Sequence, residues 1–204
     1  MMFYPYFQIN LDLRKRSCLV LGGEKEAADK TLRLLDAEAR VTVASPTLNR
    51  PLQRLAARGR IRHLTRGFET SDLKGKFLVI NTLKHDAVLS DRLLRLANRN
   101  GILLSTYDRP QYSNCSMPAV VRRGLLRIAI STSGAGPGLS KRLREDLERV
   151  FDRRFAAYLN RLARLRSRLA ETEPDSNRRM ERMRQAVREF RLSGRLVYPK
   201  PKTR

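Results

Sequence analysis

The chain has 204 residues, enough for one or two domains with a real core, and a formal net charge of +23 from 43 basic and 20 acidic side chains. It has no apolar run of about 18 residues, and the start MMFYPYFQINLDL lacks the charged lead and long apolar stretch of a secretory signal, so neither a membrane span nor export is expected. Two cysteines, Cys18 and Cys115, cannot build a disulfide framework, and a cytoplasmic protein is the simple expectation.

So large a positive charge draws anions, whether nucleic acid, an acidic membrane surface or a polyanionic small molecule. The basic residues are mostly arginine and are spread out: residues 151–204 hold 16 basic and 6 acidic side chains, which leaves +13 for residues 1–150. There is no RGG tract and no evident aromatic-plus-basic platform for stacking bases, so nucleic-acid binding is not expected. An arginine-rich source composition would place part of the excess on solvated surfaces.

In chain order, Ser17–Leu21 is a short apolar run that reads as a buried strand. Gly22-Gly23 follow, then a helical run from Glu26 to Leu35, then a second strand over Val41–Ala44. This strand, glycine turn, helix and strand span about 30 residues, the usual start of a dinucleotide-binding domain. The fingerprint G-x-G-x-x-G/A reads here Gly22-Gly23-Glu24-Lys25-Glu26-Ala27. The first glycine and the last small residue are kept. The middle glycine, which lets the backbone approach a pyrophosphate, is Glu24. A carboxylate facing a phosphate at 4–5 Å costs roughly 4 kcal/mol at an effective dielectric near 20. Pointed into water it costs much less, and Lys25 can offset part. The turn therefore argues for the fold more strongly than for a bound nucleotide.

Further on, Leu48–Arg58 and Val88–Asn98 read as helices, Phe77–Asn81 and Ile102–Thr106 as strands, and Ile61–Leu64 as an added strand. Gly101 stops the helix before it. Alternating strands and helices predict an α/β, Rossmann-like parallel sheet with helices on both faces.

Past Asp108 the pattern changes. Pro118–Gly124 and Leu126–Ser131 read as two strands joined near Gly124. The small residues Ser131 to Gly138 open a helix with apolar Leu139, Leu143, Leu147 and Val150. Its N-terminus is either a plain cap or an anion site. Residues 151–169 are expected to continue helically, with Phe155, Leu159, Leu162 and Leu169 on one stripe. Asp175 or Ser176 caps a last helix, with Met180, Met183, Val187 and Phe190 inside. The tail from Tyr198 is expected to be disordered.

Several segments together resemble one family. Tyr4-Pro5-Tyr6-Phe7 and Leu11-Asp12-Leu13-Arg14 resemble its P-x-F-x-x-L opening, with one more residue before the leucine. Cys18 to Gly23 followed by Ala27-Ala28-Asp29-Lys30 match its first βα unit, and Ala39 to Pro46 its second strand. Met117 to Gly124, Ile128 to Gly134, and Pro137 with Leu139 to Glu145 form the best stretch. In this order the chain resembles the precorrin-2 dehydrogenase/sirohydrochlorin ferrochelatase family, which also forms the N-terminal part of siroheme synthase. The likeness covers residues 3 to about 150 well and the last 54 only in character.

The resemblance implies NAD-linked oxidation of precorrin-2 to sirohydrochlorin, followed in part of the family by ferrous-iron insertion to give siroheme. It implies a Rossmann-like domain over 1–114, a small α+β dimerisation segment over 115–150 that builds a homodimer, a helical domain over 151–195 and a basic tail over 196–204. It sets NAD against Gly22, Gly23, Glu24, Lys25, Ala44, Ser45, Thr82 and Leu83. Asp108 matches the family's key aspartate. It also follows a strand at the carboxyl edge of a parallel sheet, where ligands of this architecture bind. There a carboxylate can take the proton lost on ring oxidation, or strip pyrrole N–H protons before a metal enters. By itself, Asp108-Arg109-Pro110 reads as a plain turn, and the family match is what favours a site. Precorrin-2 and sirohydrochlorin are polycarboxylates, so a positive cleft is expected. Arg109, Arg122, Arg123, Ser131, Thr132 and Lys141 are the substrate-binding candidates.

The chain departs from the family pattern at Glu24 and at Leu83-Lys84-His85, where the family has Thr-Asp-Asp. Two readings therefore stand: a precorrin-2 dehydrogenase, with or without chelatase activity, and a tetrapyrrole-binding or chelatase protein that has lost its nucleotide. Ser45 and Arg50 do not decide between NAD and NADP. No cluster of His, Cys or carboxylates has metal-ligand spacing, so no resident metal is expected. His63 and His85 read as incidental.

Overall fold

The computed structural model describes residues 6–194 and 196. Tyr4-Pro5 of the opening motif, residue 195 and the tail over 197–204 lie outside the described residues. The chain divides into two compact units, Met1–Pro118 with Ser131–Pro137, and Ala119–Ile130 with Gly138–Arg204. The division passes through the segment 115–150 instead of around it.

The first unit is a five-stranded parallel sheet in the order β3-β2-β1-β4-β5. Its strands are β1 (Ser17–Leu21), β2 (Arg40–Ala44), β3 (Arg62–Leu64), β4 (Leu78–Asn81) and β5 (Leu103–Thr106). Its helices are α1 (Lys25–Asp36), α2 (Arg50–Ala57) and α3 (Ala87–Arg99). The period of two in β1 separates two cores. Cys18 and Val20 join a cluster with Ala27, Ala28 and Leu34 of α1 and Leu52 of α2. Leu19 and Leu21 join the other, with Leu93 and Ala97 of α3. A strand buried on both faces must be apolar where it is buried, and β1 is so from Cys18 to Leu21. Each fully buried leucine here contributes about 1.5–3 kcal/mol relative to exposure.

Helix ends follow local chemistry. Asn49 caps α2, its side chain accepting from Leu52 N–H at 3.1 Å, and Asp86 caps α3 by accepting from Leu89 N–H at 2.7 Å. Gly101, at φ 63°, follows the end of α3, as the sequence predicts.

In the second unit β6 (Ala119–Arg123) and β7 (Leu126–Ile130) form an antiparallel hairpin. Gly124 turns it at φ 57° and approaches Ala156 so closely that an added Cβ would lie 3.2 Å from that side chain. Three helices follow: α4 (Pro137–Val150), α5 (Arg153–Thr172) and α6 (Ser176–Val187). The expected continuous helix through 151 is interrupted. Phe151 and Asp152 stand outside it, and Asp152 starts α5 afresh by accepting from Phe155 N–H at 3.0 Å. Asp175 caps α6 as expected. Met180, Val187 and Phe190 are not inside: they are 48%, 41% and 45% exposed. Among the described residues of this unit, only Val121, Ser140, Phe151 and Leu169 are buried. No described helix is long and apolar enough to cross a membrane.

Candidate active site at the carboxyl edge of the sheet

β1 lies between β2 and β4, so the chain reverses its direction of progress across the sheet beside β1. The crevice outside the carboxyl ends of β1 and β4 is where this architecture takes its ligand. Gly22 and Gly23 form its floor. Gly22 has φ 107°, and a Cβ there would stand 2.5 Å from Thr82 Oγ1. Gly23 has no room for a side chain because Thr47 carbonyl occupies the space. Its own carbonyl accepts from Asn49 N–H at 2.8 Å. Both glycines are therefore required by close approach of the chain to itself.

Glu24 is at the N-cap of α1 with extended backbone, φ −90° and ψ −170°. Any residue adopts that conformation, and its side chain is exposed. The substitution leaves the turn's backbone path open to an ordinary residue. The first intrahelical bond runs from Ala28 N–H to Glu24 carbonyl. The N–H groups of Lys25, Glu26 and Ala27 precede it and are available to an anion. A dinucleotide phosphate thus fits the turn, with the Glu24 carboxylate in water.

The sides of the crevice are fixed by buried polar contacts that the sequence did not disclose. Thr82 Oγ1 donates to Leu21 carbonyl at 2.6 Å. Asn81, 1% exposed, donates to Ser90 Oγ at 3.0 Å and accepts from Leu83 N–H at 3.0 Å. This ties the loop after β4 to α3. Ala44 and Ser45 are buried at the end of β2. His63 Nε2 donates to Ser45 carbonyl at 2.9 Å, so this histidine orders the edge. His85 is exposed.

Asp108 follows β5 in a turn, exposed, at φ 55°. Lys30 and Lys84 place their ammonium groups 5.7 and 5.2 Å from the ring centre of neighbouring Tyr107. Arg109 donates to Lys84 carbonyl at 3.3 Å. Burial first, and then the carboxylates of Glu26, Asp108 and Asp29, raise the Tyr107 phenol above its ordinary value. Lys30 and Lys84 thus flank Tyr107, the residue before the aspartate, and Arg109 is tied to the loop that carries Lys84. Lys30 and Tyr107 were not among the residues picked from sequence. The signal for Lys84 was present, as a base where the family pattern has an acid.

Residues 9–119 match a family model described as NAD(P)-binding, and residues 123–149 match the sirohaem biosynthesis protein central model. The siroheme synthase of Methylococcus capsulatus is 34% identical over 174 residues, 85% of this chain and 36% of that protein. The siroheme synthase of Nitrosococcus oceani is 32% identical over 166 residues, 81% of this chain and 35% of the other. The solved structure of SirC, precorrin-2 dehydrogenase, superposes with a TM-score of 0.78 at 28% identity over 89% of each chain. The chain belongs to the siroheme synthase/precorrin-2 dehydrogenase family. It spans about a third of the length of these siroheme synthases. Its cofactor is a nicotinamide dinucleotide, by the model that covers the first unit.

The substrate-binding candidates of this siroheme-family chain divide between the units. Arg109, Ser131 and Thr132 fall in the first with Asp108, and Arg122, Arg123 and Lys141 in the second. Ser131 and Thr132 shape their own turn: Ser131 Oγ accepts from Ser133 N–H and Thr132 Oγ1 from Gly136 N–H, both at 3.2 Å. Arg123 donates to the Phe151 carbonyl at 2.8 Å and the Glu148 carbonyl at 2.9 Å, which gives it a structural task at the end of α4. Arg122 and Lys141 are exposed. Among the described residues no group of His, Cys, Asp or Glu could hold a metal ion.

Proposed function

We propose that the chain oxidises precorrin-2 to sirohydrochlorin in siroheme biosynthesis, with NAD as acceptor. The observation that carries this reading is the meeting, at one sheet edge, of a close-packed glycine turn that opens a helix and an exposed aspartate that follows a lysine-flanked tyrosine. The likeness to SirC over nearly the whole of both chains supports it.

Oxidation removes two hydrogens from the substrate, one as hydride and one as a proton. Bound NAD supplies the hydride acceptor. Gly22 and Gly23 shape the turn, the amides of Lys25 to Ala27 would hold the dinucleotide's phosphate, and Thr82 and Leu83 would border it. The Asp108 carboxylate takes the proton. Lys30, Lys84 and Arg109 bind the substrate's acidic side chains and so orient the ring toward Asp108. The protein acts in the cytoplasm, in keeping with two free thiols. It acts as a homodimer, which would cover the exposed Leu125, Leu139 and Val150 of the second unit.

Glu24 and Lys84 favour a second reading: a chelatase or tetrapyrrole carrier without nucleotide. Titration with NAD, together with precorrin-2 turnover, decides between them. NAD binding in the micromolar to low-millimolar range with turnover supports the dehydrogenase. Tight sirohydrochlorin binding with neither NAD binding nor turnover overturns it in favour of the second reading.

A further inference from the structure

The second unit contains a cavity of about 830 Å³, a volume in the range of pockets that enclose small organic ligands. One side is α5, and the other is the end of α6 with the segment after it. Its apolar surface is aromatic. Phe155 lies 5.7 Å from Phe190 between ring centres, and Tyr158 lies 5.8 Å from Phe190 with the rings only 13° from parallel. The Tyr158 hydroxyl donates to Ala186 carbonyl at 3.0 Å and ties α5 to α6. Phe190 remains 45% exposed although it belongs to this ring cluster.

The charged lining is one-sided. Arg154, Arg161, Arg188 and Arg191 stand against a single carboxylate, Glu189. Arg161 sits 5.9 Å over the Tyr158 ring, and Arg191 donates to the Arg188 and Phe190 carbonyls. None of the four makes an ion pair with a carboxylate among the described residues. Like charges gathered around one cavity repel, and a ligand with several negative charges relieves that repulsion. Flat rings add a stacking surface.

We propose that this cavity is a second binding site, for a planar aromatic polycarboxylate, with the rings stacked on its face and the guanidiniums on its peripheral carboxylates. That the natural ligand is a tetrapyrrole of the pathway rests on the proposed function. The cavity's ring and guanidinium chemistry stands without it. Every lining residue belongs to the second unit, and none of them is assigned to the reaction. Its bounded volume, lined on one side by the segment after α6, suits a small molecule better than the long groove that a nucleic-acid strand requires.

The test uses the full chain and uroporphyrin, a planar tetrapyrrole polycarboxylate, titrated by its absorbance and fluorescence. The unsubstituted protein is expected to show a binding class that an Arg154→Gln/Arg188→Gln pair weakens by about tenfold or more. Phe190→Leu, which keeps the charge and removes the ring, is expected to weaken the same class. Both variants keep precorrin-2 turnover within about twofold, since neither residue belongs to the reaction. Binding unchanged in both variants overturns the proposal. So does displacement of uroporphyrin by a single-stranded oligonucleotide at lower concentration than by sirohydrochlorin. Absence of turnover in the unsubstituted chain, with the variant effects intact, overturns the proposed activity and leaves this site in place.

Discussion

Gly23 and Thr47 approach each other so closely that the carbonyl oxygen of Thr47 fills the space a side chain on residue 23 would need. The glycine turn and the loop after β2 thus form one packed piece. Gly23→Ala is expected to destabilise the protein by on the order of 3 kcal/mol, because backbone and not a flexible side chain must yield. Urea unfolding measures this, and NAD titration of the folded fraction should show affinity lost in parallel.

Glu24 gives a prediction of opposite sign. Its extended backbone suits any residue, and its carboxylate stands at the turn proposed to receive a phosphate. The Glu24 side chain makes no cap hydrogen bond, so Glu24→Gly removes like-charge repulsion at a cost of about 0.4–1 kcal/mol in backbone entropy. The nucleotide is expected to bind about 3- to 10-fold more tightly, with a smaller gain at high salt. Calorimetry at two ionic strengths checks it, and unchanged affinity would place the carboxylate away from the phosphate.

For Asp108 the choice of variant matters. The residue is left-handed, at φ 55°. Alanine there adds about 1–2 kcal/mol of backbone strain, whereas asparagine tolerates the conformation. Asp108→Asn is expected to retain the wild-type melting temperature and to lower kcat by about 10²- to 10⁴-fold through loss of the proton acceptor. Normal kcat in that variant would remove Asp108 from the reaction.

Arg123 links the hairpin to the end of α4 through the Phe151 and Glu148 carbonyls. Arg123→Ala leaves these acceptors without their charged donor and is expected to cost about 2 kcal/mol. The loss should appear as faster proteolysis within the second unit, with the first unit unaffected.

Cys18 supplies the pH dependence. Burial pushes its thiol up to about 11, while an unfolded thiol ionises near its ordinary value of about 8.5. Between those values the folded chain holds a proton that the unfolded chain has lost, so stability falls as pH rises. Below the lower value the group has no effect. Urea midpoints at pH 8 and 10 should therefore differ more in the wild type than in Cys18→Ala. At pH 8 the folded protein should resist thiol alkylation at Cys18.

The first unit was legible because its central strands β1, β2 and β4 are buried on both faces. The runs Ser17–Leu21 and Phe77–Asn81 have few alternatives to being strands. The Asn81–Ser90 bond was not legible, since it requires knowing that α3 returns over the end of β4. Arg123 read as a substrate ligand because a guanidinium's true partners were carbonyls more than twenty residues away. Break residues Phe151-Asp152 were hidden by the apolar stripe that continues past them. The aromatic cavity was missed for a related reason. Phe155, Tyr158 and Phe190 are separated along the chain, and helical periodicity assigned Phe190 to an interior that the fold does not provide.

A unit that buries little more than Val121, Phe151 and Leu169 has a small reserve of its own. In the proposed homodimer a second copy would complete this unit, and its integrity would then depend on how many molecules the cell makes. Falling expression would then unravel the second unit of the chain before any change in the sheet, and abundance itself would set the fraction of chains fit to work.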